Sequence, residues 1–259
     1  MESRFSSDFF AGNRQRLREL FTGTAPIVVT ANGLVQRGSI DNAHMFLQDA
    51  NFWYLTGIDE PDIVLVMDRD KEYLIVPPRS ASREAFDGAV VHEPLMRRSG
   101  IRTVLDDKDG WQQLGGRLKK VKHVATLRVL PAYVEQYGIY ANPARANLVS
   151  KLKSYSPQLD LLDLNQHLAR MRMIKQPVEL AAMQRAINIS ISAIKDATRP
   201  AKLRKYSYEY EIEAELSHGF RKRGADGHSF DPIIAGGERA CACPGNGAAV
   251  VCRLDPEPS

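Results

Sequence analysis

The spacing of apolar residues changes along this chain of 259 residues, and the change limits its fold more than any other feature. Up to about residue 165, short β-branched runs such as PIVVTA at residues 26–31 alternate with segments of helical pattern. Beyond that point apolar residues recur every three or four positions over long segments. Interleaved strands and helices are typical of a sheet covered by helices. The sequence therefore predicts an α/β domain over residues 1–165, followed by a region of longer helices.

Apolar runs within the first 165 residues predict individual strands. The runs at residues 62–67 (DIVLVM) and 73–76 (YLIV) are joined by a polar stretch, which predicts an antiparallel hairpin. Residues 52–55 predict a further strand, and so do residues 121–127. A first helix is expected after a cap at Ser6 or Ser7, with Phe10, Leu17, Leu20 and Phe21 on its apolar face, and further helices over residues 111–118 and 144–153.

Two helices are predicted in the second part of the chain. Pro177 suits the first turn of a helix that runs to about residue 197. Ser207 is a favourable N-cap for the second helix, which Gly224 closes. Residues 229–235 (SFDPIIA) then predict a strand with an internal proline. The apolar stripe of the first of these helices is predicted to be core, and it consists of Leu180, Met183, Ile187, Ile191 and Ile194.

Charge and composition argue against several classes of protein. The 35 Lys and Arg residues nearly balance the 31 Asp and Glu residues, so the net charge is only +4. The basic clusters are short and interrupted, which favours solvated helix faces and loops over a nucleic-acid surface. No stretch approaches the roughly 18 apolar residues of a membrane span, and the N-terminus lacks the apolar core of a secretion signal. The three cysteines all follow residue 240, so a cytoplasmic protein with no membrane or nucleic-acid partner is expected.

Three ordered motifs in the second part of the chain resemble one known family. They are RMRMIKQPVELAAMQRA at residues 170–186, YEYEIEAEL at 208–216 and GADGHSFDPIIAGGERAC at 224–241. Two amphipathic helices and a strand could occur in any α/β protein, but this order and spacing are far more specific than one motif. The constellation is similar to the start of the catalytic domain of the aminopeptidase P and prolidase family, the pita-bread metallopeptidases.

The first part of the chain carries a second, independent resemblance. FLQDANFWYLTGIDEPDIVLVM at residues 46–67 is similar to the signature of the N-terminal domain of the same family. Alone, this segment would be only a strand, a turn and a strand. The dipeptide Arg-Pro followed by a helix start of the EYE type resembles Xaa-Pro aminopeptidases more than methionine aminopeptidases, which lack such an N-terminal domain.

The two resemblances together imply a domain organisation. Residues 1–165 would form an α/β (α+β) domain of the creatinase/aminopeptidase P type, with a mixed sheet and flanking helices. Residues 166–241 would form the start of an incomplete pita-bread catalytic domain. Residues 242–259 would be an aberrant, disordered tail, because they contain prolines and glycines without a helical or strand period.

The resemblance also implies a chemistry. Members of the family remove an N-terminal residue that precedes proline, using two divalent ions, usually manganese, and a bridging hydroxide that attacks the peptide carbonyl. The implied substrates are proline-containing peptides, and the N-terminal domain implies a homo-oligomer because it commonly lies at subunit interfaces. The family's metal ligands are two aspartates, a histidine and two glutamates, all later than the GGERAC segment. No catalytic or metal-binding residue is therefore assigned here, and no metal is expected to bind this chain.

The end of the chain departs from the family pattern. A histidine of the family normally lies three residues beyond the cysteine matched by Cys241, where this sequence has Pro244. Proline has no proton to donate and cannot replace an imidazole. Asp255 and Glu257 flank a proline without the family's strand, and the three cysteines lack the spacing of a zinc site. These departures favour a truncated, inactive aminopeptidase whose C-terminus was replaced by a frame change or a premature stop.

Two aromatic residues match family positions with a role at the active site. Phe230 matches an aromatic that lines the pocket for the substrate's N-terminal residue, and the alternative is a core aromatic on a strand. Phe86 is similar to an aromatic that a neighbouring subunit lends to the active site. Isolated histidines are usually structural or exposed, and we expect this of His44, His123, His167 and His228.

A function of another class stays open beside the peptidase. Some pita-bread relatives have lost their metal ligands and bind proteins instead. The alternative hypothesis is therefore a non-catalytic, pita-bread-like module for interaction or oligomerisation, although such a protein should carry a complete pita-bread domain.

Overall fold

The computed structural model of the chain describes residues 5–69, 71–230 and 232–236. These residues belong to two compact units, one ending at Lys175 and the other beginning at Gln176. The predicted domain boundary after residue 165 falls in the first turn of the helix Asn165–Met173, which belongs wholly to the first unit. Within the described ranges, no helix is both long enough and apolar enough to cross a membrane.

The first unit alternates strands and helices, as the predicted α/β class requires. Its helices are α1 (Ser7–Leu20), α2 (Ala50–Thr56), α3 (Ala81–Asp87), α4 (His92–Ser99), α5 (Asp107–Leu118), α6 (Ala144–Tyr155) and α7 (Asn165–Met173). Its strands are β1 (Ile27–Thr30), β2 (Val64–Asp68), β3 (Lys71–Val76), β4 (Val104–Asp106), β5 (His123–Thr126), β6 (Tyr133–Val134), β7 (Ile139–Tyr140) and β8 (Asp160–Asp163). The helices predicted at residues 111–118 and 144–153 are confirmed, and so are the strands at residues 26–31 and 121–127.

Six of these strands form one mixed sheet in the order β4-β3-β2-β1-β5-β8. Strand β2 runs antiparallel to β1 and β3, and the other neighbouring pairs are parallel. The predicted hairpin is confirmed as β2 and β3, with Val66 opposite Tyr73. Strands β6 and β7 pair with each other as a separate ribbon. Because the parallel strands all point the same way, their carboxyl ends lie along one edge of the sheet.

Helices cover both faces of this sheet. On one face, a buried cluster joins the central strands to α5 and α6, and it includes Val28, Val66, Tyr73, Ile75, Trp111, Leu114, Val124, Leu148 and Leu152. Side chains alternate along a strand, so Glu72 of β3 points to the opposite face from Tyr73. There Glu72 meets Arg14 of α1. The mixed sheet with helices on both faces confirms the predicted architecture of the N-terminal domain.

Arg14 is a charged residue with no exposed side-chain surface. Its guanidinium donates hydrogen bonds to both carboxylate oxygens of Glu72, at 3.1 and 2.9 Å. It also donates to the carbonyl oxygens of Leu55 (2.8 Å) and Ser99 (2.9 Å), at the ends of α2 and α4. A buried guanidinium is tolerable only when its donors are satisfied in this way. Arg14 therefore links three helices and the sheet through one side chain.

The strand predicted at residues 52–55 is wrong, because this segment is the helix α2. The carboxylate of Asp49 accepts hydrogen bonds from the N–H groups of Asn51 (2.9 Å) and Phe52 (3.0 Å) and so caps the helix. Gly57 ends it in the left-handed region with a φ of +68°. A Cβ at Gly57 would lie 2.3 Å from the ring of Phe10, so only glycine fits this stop.

The first helix is confirmed, with one change to its apolar face. Ser6 caps α1, and Phe10 and Leu17 are fully buried. Leu20, on the predicted apolar face, is 43% exposed. It is the last residue of α1, and Phe21 follows as the C-cap.

The second unit contains α8 (Pro177–Ala197), α9 (Pro200–Leu203) and α10 (Glu209–Lys222). Pro177 occupies the first turn of α8, as predicted, and Glu179 completes a capping box there. Helix α10 begins after Tyr208 instead of Ser207. The carboxylate of Glu211 accepts hydrogen bonds from the N–H groups of Ser207 (2.6 Å) and Tyr208 (2.8 Å), which fixes the helix start.

The strand predicted at residues 229–235 does not form in the described part of that range. Residues 229, 230 and 232–235 make no strand pairing there. An apolar run becomes a strand only when a neighbouring strand accepts and donates its hydrogen bonds, and Pro232 supplies no N–H for such a ladder.

Candidate functional site

The segment that follows α10, up to residue 236, is the candidate functional site because it carries Phe230. Gly224 stops the helix with a φ of +82°, which glycine adopts without steric cost. The N–H of Ala225 donates to the carbonyl of Phe220 at 3.1 Å, and Arg221 donates to the carbonyl of Ala225 at 3.2 Å. The chain thus turns sharply at the end of α10.

His228 fastens the segment to the side of α10. Its Nε2 lies 2.6 Å from the hydroxyl oxygen of Ser217, and that hydroxyl donates to Glu213 at 2.9 Å. A hydroxyl has one proton, so with that proton directed to Glu213 the Nε2–H of the imidazole donates to Ser217. The ring also meets Phe220 edge to face at 4.9 Å between centroids. These contacts of His228 with Ser217 and Phe220 agree with the predicted structural alternative for this histidine.

Glu209 fastens the far end of the same segment. This residue is only 5% exposed, and its carboxylate accepts a hydrogen bond from the N–H of Gly236 at 2.8 Å. It is the first residue of α10, where the helix dipole favours a negative charge. The sequence around Glu209 indicates only an EYE-type helix start, because the partner of Glu209 is a backbone N–H that no side-chain pattern reveals.

Phe230 lies between His228 and Gly236, the two residues that hydrogen-bond this segment to α10, and it is 72% exposed. An aromatic ring in a core would be buried, so the alternative of a core aromatic does not describe this structure. A ring held in solvent on an anchored segment is available to contact a ligand. Its role in the pocket for a substrate's N-terminal residue stays a prediction.

Helices α8 and α10 pack closely beside the segment within the second unit. A Cβ at Gly219 would lie 3.0 Å from the Cβ of Ala193, so glycine permits the short distance between the helices. Arg223 binds Asp196, and this hydrogen bond lowers the pKa of the Asp196 carboxyl. These contacts join the end of α10 to the end of α8.

The predicted core stripe of α8 lies at the surface of the described residues. Its members are between 45% and 54% exposed, namely Leu180, Met183, Ile187, Ile191 and Ile194. The buried side of α8 consists instead of Ile189, Ala193 and Ala197. The prediction that this stripe is core is therefore wrong for the described residues, because a different side of α8 is buried, where Ala193 approaches Gly219 of α10.

The described residues do not offer a metal site. Across residues 5–69, 71–230 and 232–236, no three His, Cys, Asp or Glu side chains lie close enough together to hold a metal ion. The residues discussed for zinc or for the family's metals lie outside the described residues, and they are Cys241, Cys243, Pro244, Cys252, Asp255 and Glu257. A divalent metal does not fit the side chains that can be placed, so no chemical step is assigned to one.

The remaining predicted positions lie in the first unit. Phe86 is 88% exposed on α3, a helix with no buried residue. His123 approaches Asp160 at 3.6 Å, and His167 meets the ring of Phe21 edge to face at 5.8 Å. The role of Phe86 at a neighbouring active site stays a prediction.

Two family models match the sequence. "Aminopeptidase P, N-terminal domain" matches residues 10–125, and "Metallopeptidase family M24" matches residues 181–256. The second match continues through residues 242–256, most of the segment that the sequence favoured as an aberrant tail.

Individual relatives agree with these matches. The chain is 31% identical over 217 residues to an Xaa-Pro aminopeptidase of Haemophilus influenzae, covering 80% of this chain and 46% of that protein. It is 28% identical over 251 residues to an Xaa-Pro aminopeptidase of Escherichia coli, covering 92% and 54%. A solved structure of an aspartate-to-alanine variant of Escherichia coli aminopeptidase P matches with a TM-score of 0.77 and 25% identity, covering 97% of this chain and 57% of that one. The chain spans about half the length of the curated relatives it matches.

Proposed function

The chain belongs to the aminopeptidase P family, and on this premise we propose that it supplies the N-terminal domain and the first catalytic-domain helices of a metal-dependent Xaa-Pro aminopeptidase. The reaction would be hydrolysis of the bond between a peptide's N-terminal residue and a following proline. The observation that carries the proposal is the match of 97% of the chain to an aminopeptidase P structure with a TM-score of 0.77. Peptides with proline in the second position would be its substrates.

Within this activity, Phe230 would line the pocket for the substrate's N-terminal residue. Its exposure supports this role, as do the contacts on either side of it from His228 and Gly236. Because these contacts hold the segment at two points, its backbone would lose little conformational freedom when a ligand packs on the ring. Apolar first residues would benefit most from this contact.

Two divalent ions, manganese by family resemblance, would be the cofactor of the whole enzyme. Among the described residues, no three possible ligands form a group. By the family resemblance the ligands follow the GGERAC segment, and on that basis we expect the pure 259-residue chain not to hydrolyse Xaa-Pro peptides with added manganese. Turnover by the pure chain would contradict this expectation.

A chimera tests the proposed function directly. Residues 1–236 would replace the matching part of Escherichia coli aminopeptidase P, and the product would be assayed on peptides with proline second. We expect hydrolysis, with Phe230→Ala raising KM by about tenfold for large apolar first residues while kcat changes less. Tyr140→Ala is the matched control, because Tyr140 is an aromatic residue that is 82% exposed on β7. A folded but inactive chimera would refute the proposed function, and equal effects of the two variants would refute the role of Phe230.

The exposed stripe of α8 favours a second candidate function, a non-catalytic module that binds a protein partner or another copy of itself. Contiguous apolar surface of this kind usually marks an interaction site. Light scattering of the pure chain would detect a homo-oligomer, and Ile187→Glu should dissociate it if the stripe is the interface. If the pure chain is monomeric and a pull-down finds no partner whose binding Ile187→Glu abolishes, the interaction function is wrong and the peptidase function is favoured.

A further inference from the structure

A cleft of about 200 Å³ opens in the first unit. It lies where β1 and β3 end, between the sheet and the first turns of α5 and α6. In α/β proteins, ligands bind in crevices outside the carboxyl ends of the strands. The apolar part of the lining comes from Val64, Ile75, Pro77, Trp111, Ala144 and Leu148. The polar part comes from Thr30, Asp62, Asp107, Asn147 and Lys151.

The cation of the cleft already has partners. The ammonium of Lys151 lies 3.2 Å from a carboxylate oxygen of Asp107 and 4.1 Å from the centre of the Trp111 ring. The ion pair and the cation–π contact keep this ammonium beside the tryptophan. Lys151 and Asp107 therefore offset each other's charge at the cleft.

Asp62 differs, because it is an exposed residue that lines both this cleft and a neighbouring cavity beside Arg83. No hydrogen-bond donor contacts this carboxylate among the residues that the structure describes. The backbone of Asp62 is fixed, since its φ is +60° and its N–H donates to the carbonyl of Asn32 at 3.0 Å. Its Oδ1 lies over Gly33, where a Cβ would approach to 2.8 Å. A carboxylate held in this way is ready to accept hydrogen bonds from a ligand.

The surroundings of Asp62 favour a cationic ligand. Nearby protein atoms desolvate the carboxyl and raise its pKa, although the charge of Arg83 acts in the other direction. Arg83 is itself bonded to Asp87 at 3.0 and 2.5 Å, which offsets its charge. A partly desolvated carboxylate gains more from an organic cation than one fully in water.

We propose that this cleft binds a small primary or secondary ammonium compound with an apolar body. The ammonium would donate to Asp62, and the apolar body would lie against Pro77 and beside the edge of Trp111, since Lys151 covers a face of that ring. A volume of about 200 Å³ lies below the 300–1,000 Å³ of pockets for drug-sized ligands, so the occupant is compact. The proposal concerns the first unit alone and does not depend on the peptidase function.

Benzylammonium is a suitable probe, with benzyl alcohol as its uncharged counterpart of similar shape. Binding would be followed by NMR on the indole N–H of Trp111, which Trp53→Phe distinguishes from the other tryptophan. We expect saturable shifts with benzylammonium and at least about tenfold weaker binding of benzyl alcohol, a difference of about 1.4 kcal/mol. Equal affinities for the two compounds, or the absence of saturation, would overturn the proposal.

Asp62→Asn is the variant that isolates the carboxylate. Asparagine accepts the left-handed backbone as readily as aspartate, so the fold should persist, and the amide spectrum checks this. We expect affinity for benzylammonium to fall about tenfold or more in this variant. Glu135→Gln removes one exposed carboxylate elsewhere in the unit and should leave the affinity unchanged. Unchanged binding in Asp62→Asn, or equal losses in both variants, would show that Asp62 does not hold the ligand.

Discussion

Arg14→Met would remove the buried cation that joins α1, α2, α4 and the sheet. The variant keeps an unbranched apolar stem but leaves the carbonyl oxygens of Leu55 and Ser99 without the donors they now have at 2.8 and 2.9 Å. Breaking a buried ion pair from one side costs about 3–5 kcal/mol, and each orphaned buried acceptor about 1 kcal/mol or more. Arg18 still donates to Glu72 at 2.6 Å, which limits the loss. We therefore expect the free energy of unfolding to fall by about 4 kcal/mol.

Urea unfolding followed by tryptophan fluorescence measures this loss, because Trp53 and Trp111 both lie in the first unit. With a slope of about 2 kcal/mol per molar urea, the midpoint should fall by about 2 M. Arg18→Met is the matched control. Its side chain is 26% exposed, so its loss should be about 1 kcal/mol or less. Similar midpoints for the two variants would refute the assignment of the stability to the buried donors of Arg14.

Two further predictions use the same assay. Gly115→Ala would place a Cβ 2.3 Å from the ring of Tyr155 and should destabilise the first unit by about 1–3 kcal/mol. The adjacent Gly116 has nothing within 4 Å of such a Cβ, so Gly116→Ala should stabilise α5 by about 0.5–1 kcal/mol. Changes of the same sign in both variants would contradict the packing at Gly115. Burial raises the pKa of Glu72, but hydrogen bonds and charge from Arg14 and Arg18 outweigh it and lower the pKa below the ordinary 4.5. The stabilisation of the folded state by the Glu72 ion pair is present above pH 4.5 and is lost as the pH falls through the lower pKa of the folded state. The difference in unfolding free energy between Glu72→Gln and the parent chain should therefore shrink below pH 4.5. A difference that stays constant with pH would contradict the ion pair.

Local patterns predicted much of the first unit. The run at residues 62–67 and its partner at residues 73–76 form the expected hairpin, because two short apolar runs joined by a polar turn have few other ways to bury their side chains. Residues 52–55 failed because periodicity cannot distinguish a strand from a helical turn over four residues. The deciding interaction is the cap from Asp49, which also binds Arg145 at 2.5 Å, almost a hundred residues away. The cap itself is local and could have been found from an aspartate placed ahead of residues 50–56, whereas the contact with Arg145 could not.

In the second unit, the sequence predicted a helix correctly but did not predict which of its faces is buried. The ends of α8 were predicted correctly from Pro177 and the helical period, but the burial of its apolar stripe was not. Periodicity tells which residues share a face, and it does not tell which face of a helix has a neighbour. At the candidate site, Phe230 could be found from its family motif. Glu209 and Ser217 could not, because their partners are a backbone N–H and a histidine with no recognisable spacing.

The placement of β1 in the sheet has a consequence for synthesis of the chain. On one side Ile27 pairs with Met67, but on the other side it pairs with Ala125, so one edge of β1 stays open until that later residue has been translated. Open edges of β-branched strands recruit other chains, and long-range pairings form slowly. Until Ala125 has been made, this edge of β1 is therefore open to pairing with other chains. Chaperone binding during that interval would protect the strand that later lies at the centre of the domain.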